Sequence, residues 1–90
     1  MLKIKGKSVA GTLESSDVLV EVAPGCGVSI EIESVVKAQF GEAIEKTLRD
    51  VLAEFDVENA SVRVVDRGAL DCTIRARLET AIRRASKEED

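Results

Sequence analysis

Histidine, tryptophan and tyrosine are absent from this 90-residue chain, which holds only two Phe and one Pro. Without histidine it lacks the side chain best suited to general acid–base work near neutral pH, and the commonest neutral metal ligand. With so few aromatic rings, the core has to be aliphatic, built from Val, Ile, Leu and Ala. A basic excess is also missing: 13 Lys and Arg stand against 17 Asp and Glu, a net charge of −4. That balance argues against a binder of nucleic-acid backbones, which would be basic. No apolar run approaches the ~20 residues that span a bilayer, and residues 1–5 are too short for the apolar region of a signal peptide. A cytoplasmic protein is expected, with no membrane partner. In that compartment Cys26 and Cys72, far apart in the chain, read as reduced thiols. A disulfide between them stays open, and with no His the chain offers no zinc-ligand spacing.

What is present describes one small folded domain, residues 1–90, with residues 1–7 and 86–90 expected to be flexible. A chain of this length buries roughly 60–65% of its unfolded surface, enough for one thin core but not for an enclosed catalytic cleft. Residues 8–13 read as a first strand, and the polar break Glu14-Ser15-Ser16-Asp17 follows. Val18, Val20 and Val22 alternate on a second strand. Pro24-Gly25-Cys26-Gly27 signals a turn. Beyond it, Val28, Ile30 and Ile32 alternate with Ser29, Glu31 and Glu33, the pattern of a strand with one wet face.

Ser34 is placed to cap a first helix, although Lys37 stands where a capping box needs Glu or Gln. From there Val36, Phe40, Ile44, Leu48 and Leu52 recur at every fourth position, widened by Ala43, Val51 and Phe55. The pattern predicts an amphipathic helix of about five turns, with Glu42–Lys46 and Glu45–Arg49 pairs on its wet side. Residues 61–65 form a fourth strand. A second helix carries Leu70, Ile74, Leu78, Ala81, Ile82 and Ala85 on one face, ahead of a fraying tail at 87–90. The expected fold is α+β, a two-layer sandwich in the order β-β-β-α-β-α. Its sheet, mixed or antiparallel, has about four strands joined through antiparallel hairpins, with two helices on one face.

Chemistry points to one place. Ser15 stands at the tip of the predicted first hairpin, where an outside enzyme reaches it. With no base beside it, its hydroxyl is not a catalytic nucleophile by itself; read from the residues alone, it is a turn residue. Six arginines, Arg63, Arg67, Arg75, Arg77, Arg83 and Arg84, crowd the C-terminal third. Arg75–Glu79 and Glu79–Arg83 have the spacing of solvated helix pairs, which weighs against an anion site. The turn at Gly68 opening the second helix offers backbone N–H groups to an anion. Cys72 reads as a small packed hydrophobe. Asp66, Asp71 and Glu79 read as caps and surface charges, so neither a catalytic set nor a metal site is expected.

The segment Gly11-Thr12-Leu13-Glu14-Ser15 with Asp17 resembles the prosthetic-group attachment segment of the citrate lyase acyl carrier protein family, the gamma subunit of that complex. Gln39-Phe40-Gly41 agrees with it, and the block from Asp66-Arg67-Gly68-Ala69-Leu70 through Arg77-Leu78-Glu79 resembles the family's C-terminal signature. The resemblance implies a non-catalytic carrier whose Ser15 bears phosphoribosyl dephospho-coenzyme A through a phosphodiester. A prosthetic-group transferase would install it from a triphosphoribosyl precursor. The alpha subunit would exchange acetyl for citrate on the terminal thiol, and the beta subunit would cleave the citryl thioester to oxaloacetate. One departure stands out: Ser16 occupies a position where the family pattern has Gly. Because Ser resists positive φ, a type I turn is expected there, and Ser16 is a rival attachment residue to the favoured Ser15. The alternatives are the carrier of malonate decarboxylase, which uses a similar group, and an unmodified protein–protein interaction domain.

Overall fold

A computed structural model describes residues 1–35 and 37–87, so Val36 of the expected helix stripe and residues 88–90 of the tail lie outside the described residues. The strands are β1 (Ser8–Gly11), β2 (Val18–Ala23), β3 (Val28–Ser34) and β4 (Ala60–Asp66). The helices are α1 (Lys37–Glu54) and α2 (Asp71–Ser86), giving the predicted order β-β-β-α-β-α. β1 pairs antiparallel with β2, β2 antiparallel with β4, and β3 parallel with β4, so the sheet is mixed and runs β1-β2-β4-β3.

This order corrects the expected string of hairpins. Residues 24–27 do turn the chain, but β2 and β3 never meet because β4 lies between them. Parallel neighbours need a long crossover, and α1 supplies it between β3 and β4. Burial explains the placement. Val62 and Val64 of β4 are fully enclosed, whereas Val28, Ile30 and Ile32 of β3 are only half-buried, as suits an edge. Glu31 and Glu33 on that edge discourage pairing with another chain. The open face carries a row of pairs, Lys7–Glu21 at 3.3 Å and Arg63–Glu31 at 3.4 Å, the latter opposite each other in register. Exposed pairs of this kind contribute ~0–1 kcal/mol each.

On the other face α2 lies over β1 and β2, and α1 over β3 and against α2. Val18, Val20, Val22, Val62 and Val64 meet Ile44, Leu48, Val51, Leu52, Ile74, Leu78 and Ile82 in one aliphatic core. Most of the predicted helix faces are buried, but not their first turns. Phe40 is 53% exposed, Leu70 precedes α2 at 71% exposed, and Ala43 is exposed too. α1 spans about 27 Å at 1.5 Å per residue, against about 23 Å for the seven residues of β3. α1 is thus longer than the strand it covers, and the exposed apolar positions fall near its start.

The expected cap of α1 by Ser34 runs through Val36 and lies outside the described residues. Ser34 closes β3, opposite Asp66 in register, and its hydroxyl donates to Asp66 Oδ2 at 2.8 Å. α1 ends with Asp56 at φ +55, where Val57 N–H reaches Leu52 C=O and Asp56 N–H reaches Ala53 C=O, the Schellman closure. Glu45 pairs with Arg49 as expected, but Lys46 pairs forward with Asp50 instead of back with Glu42. Ahead of β1, where the sequence suggests a flexible start, Ile4 is buried and Leu2 N–H donates to Asp56 C=O. None of the described helices is long and apolar enough to cross a membrane.

Candidate functional site

The loop between β1 and β2, residues 12–17, sits at the end of the sheet where β2 begins and β4 ends. β1 stops at Gly11, two residues short of the predicted strand, because Gly11 adopts φ +97. A Cβ there would sit 1.8 Å from the carbonyl oxygen of Val18, so only glycine lets the strands approach this closely. Asp17 N–H donates to Glu14 C=O at 3.1 Å, closing a four-residue turn. Its third residue, Ser16, has φ +66, and Ser15 before it does not share that sign. This is the type II pattern and not the type I turn expected. Ser16 takes the left-handed conformation that the sequence comparison reserved for glycine.

Ser15 is exposed at the tip, and its hydroxyl has no hydrogen-bond partner among the described residues. Everything around it is fastened. Ser16 N–H donates to Arg67 C=O at 2.8 Å, and Arg67 N–H donates to Asp17 C=O at 2.9 Å, carrying the β2–β4 ladder past its last strand residues. Asp17 Oδ1 accepts from Val18 N–H at 2.7 Å and from Arg77 Nε at 3.2 Å. Its Oδ2 accepts from Thr12 Oγ1 at 2.6 Å and Arg77 Nη2 at 2.9 Å. The Thr12 hydroxyl, the Arg77 guanidinium and the Val18 amide together hold the Asp17 carboxyl down to about 2. An acid so fully engaged is no base for the neighbouring serine.

The arginine cluster resolves into separate contacts. Arg75 reaches across to Glu54 at 2.6 Å rather than along its own helix to Glu79. Arg83 lies 3.9 Å from Glu79 and stacks over Phe55, 5.4 Å from the ring centre. Arg84 donates to Val9 C=O at 3.0 Å, fixing β1 to α2. Arg67, exposed beside the Ser15 loop, has no side-chain partner among the described residues. Sequence reasoning set Asp17 within a motif but missed its bond to Arg77; nothing local joins residues 60 positions apart.

Asp66 is more than a surface charge. At 1% exposed it accepts from Ser34 and, at 2.9 Å, from Ala69 N–H, tying the ends of β3 and β4 to the start of α2. Above it opens an apolar groove of about 350 Å³ lined by Phe40, Ala43, Ile44, Ala69, Leu70 and Ile74. Gly68, at φ +89, forms its near lip. Cys26 and Cys72 are both free and exposed, so Cys72 does not pack into the core as expected. Among the described residues no three His, Cys, Asp or Glu side chains cluster as metal ligands.

The family described as Malonate decarboxylase delta subunit (MdcD), an ACP family, matches residues 5–85. The citrate lyase acyl carrier protein of Haemophilus influenzae is 54% identical over 87 residues, covering 97% of this chain and 92% of the relative. That of Treponema denticola is 47% identical over 87 residues, covering 97% of this chain and the whole of the relative. The chain belongs to the citrate lyase acyl carrier protein family. The fold is shared more widely. A chain in the crystal structure of a Pseudomonas malonate decarboxylase hetero-tetramer in complex with malonate superposes with a TM-score of 0.76 at 22% identity. The match covers 92% of this chain and 87% of that one. The citrate lyase relatives, at more than twice that identity, are the nearer kin. They are named as acyl carrier proteins, in keeping with a site that holds an accessible serine.

Proposed function

We propose that this chain is the non-catalytic acyl carrier subunit of citrate lyase, loaded at Ser15 with phosphoribosyl dephospho-coenzyme A through a phosphodiester. The observation that carries the reading is the exposed, unbonded hydroxyl of Ser15 on a loop braced by Asp17 and Arg77. Such a hydroxyl fits esterification by an outside enzyme, because no internal bond has to break first. When bound, the arm supplies a thiol, whose thioester is a better electron sink for carbon–carbon cleavage than a free carboxylate.

The chain's own residues do the presenting. Gly11 allows the tight approach of β1 to β2, Thr12 and Arg77 hold Asp17, and the ladder through Arg67 fixes Ser16. Ser15 is left as the projecting member of the turn. Ser16 is the weaker candidate, since its backbone is pinned in the strained position. Proton removal from Ser15 falls to the transferase, because Asp17 is already paired. Tethering then raises the acyl group's local concentration at the alpha and beta subunits toward the ~mM range. A cytoplasmic location goes with this reading.

The test is an intact mass of protein from a host that makes the transferase, beside a Ser15→Ala variant. The native chain should be heavier by the arm and the variant should not; reconstitution with alpha and beta subunits should then restore citrate cleavage. An unmodified native chain would support a plain interaction domain. Cleavage of malonyl in place of citryl thioester would support the decarboxylase carrier, which the matching family's description favours.

A further inference from the structure

Six large apolar side chains are exposed among the described residues, and four of them, Leu13, Val35, Phe40 and Leu70, gather at the Ser15 end of the sheet. Leu13 belongs to the Ser15 loop itself. Val35 N–H donates to Asp66 C=O, next to the Arg67 carbonyl that holds Ser16. Phe40 and Leu70 both line the apolar groove, as does Gly68, which follows Arg67. Leu70 carries a second signal. It is the N-cap residue of α2, at φ −71 and ψ 157, and no side chain caps the helix there. Leucine is among the poorest residues for that position, and Ser or Asp would serve the helix better. A 71%-exposed leucine at an N-cap serves neither solubility nor the fold. It serves contact.

We propose that Leu70 and Phe40, with Leu13 and Val35, form the docking face for the transferase that loads Ser15. The proposal rests on Ser15 being the attachment residue. In the loading step the Ser15 oxygen bonds to the phosphorus of a triphosphate donor, the bond to the leaving diphosphate breaks, and the serine proton passes to a base on the enzyme. That enzyme must bring its reacting atoms within bonding distance of Ser15. A specific interface covers about 800 Å² on each partner, a disc about 16 Å in radius. Leu13 lies two residues from Ser15, and Val35 and Leu70 flank the Asp66–Arg67 backbone that holds Ser16, so an interface that reaches Ser15 meets this collar.

The experiment measures loading kinetics by mass gain, with purified transferase, triphosphate donor and the full chain as varied substrate. Leu70→Ser, Phe40→Ser and, at the opposite end of the sheet, Cys26→Ser are compared with wild type. Expected is a KM raised roughly tenfold or more in Leu70→Ser and Phe40→Ser, with kcat within about twofold. Cys26→Ser should match wild type. Leu70→Ser should also melt about 4–8 °C higher, from its new cap. A more stable protein that is a worse substrate is an outcome no purely structural role of Leu70 gives. Unchanged KM in both variants, with wild type loaded normally, overturns the docking face while leaving the carrier reading intact. Failure of wild type to load at Ser15 overturns both. If the chain dimerises in sedimentation and Leu70→Ser makes it monomeric at unchanged KM, the face belongs to a second copy and the proposal fails.

Discussion

Ser16 holds φ +66 in a turn whose neighbours are all fastened, so the conformation cannot relax without breaking bonds to Arg67 and Glu14. An L-residue in the left-handed region is disfavoured by ~1–2 kcal/mol. Glycine has no such penalty, but loses ~0.5–1 kcal/mol more conformational freedom on folding. The difference leaves Ser16→Gly more stable by roughly 0.5–1 kcal/mol, a Tm rise of about 2–8 °C for a domain of this size. Ser16→Ala separates backbone from hydroxyl. The Ser16 hydroxyl makes no hydrogen bond among the described residues, and alanine keeps the Cβ, so that variant should stay within about 0.5 kcal/mol of wild type. Differential scanning calorimetry of the three proteins under one buffer reads both numbers. Equal melting of the Gly and Ala variants would refute the argument, because the turn would then not hold position 16 in the left-handed region. Both variants should still gain the arm at Ser15; loss of the mass in both would transfer the attachment to Ser16.

Gly11→Ala should go the other way, losing more than ~3 kcal/mol in urea unfolding, since its Cβ would meet the Val18 carbonyl at 1.8 Å with φ at +97. Asp66→Ala takes the acceptor from Ala69 N–H and a partner from Ser34, and should cost about 2–3 kcal/mol by the same assay, with Asp66→Asn milder. The Asp17 carboxyl, held down to about 2, should titrate by NMR well below the usual 3.8, and Arg77→Met should move its midpoint up. A depressed folded pKa means the contribution is complete above about 4 and fades as pH falls toward 2, so acid should loosen the Ser15 loop only in that window. A wild-type midpoint near 3.8 would show that the Thr12 and Arg77 contacts do not form in solution.

Element order and type were legible because each strand and helix carries its own period. Val18, Val20 and Val22 alternate, and Ile44, Leu48 and Leu52 recur at helical spacing, with no competing pattern. Pairing was not legible. Whether β3 or β4 lies beside β2 depends on which strand buries both flanks, and Glu31 and Glu33 mark β3 for the edge only once β4 is seen to fill the centre. The exposed Ser15 hydroxyl could be read from its polar break. Its brace could not, because Asp17 and Arg77 meet only after α2 folds back over β1 and β2. Phe40 and Leu70 deceived the periodic reading for a simpler reason: period reports which face a residue takes, not whether that face is covered at that point.

Departures from locally favoured sequence are the most telling feature of this chain. Ser16 stands where glycine is easier, Leu70 where a capping serine is better, and Phe40 continues an apolar stripe into solvent. All three lie at the end of the sheet that presents Ser15. At the opposite end Asp56 is a further departure of the same kind, at φ +55 in the Schellman closure of α1, while Gly27 takes its own positive φ in the turn before β3. Three of these four departures lie at the Ser15 end, as expected where a partner's needs and the fold's needs conflict at one surface. The stability given up at Ser16 and Leu70 is therefore best understood as the cost of presenting a serine inside an apolar collar.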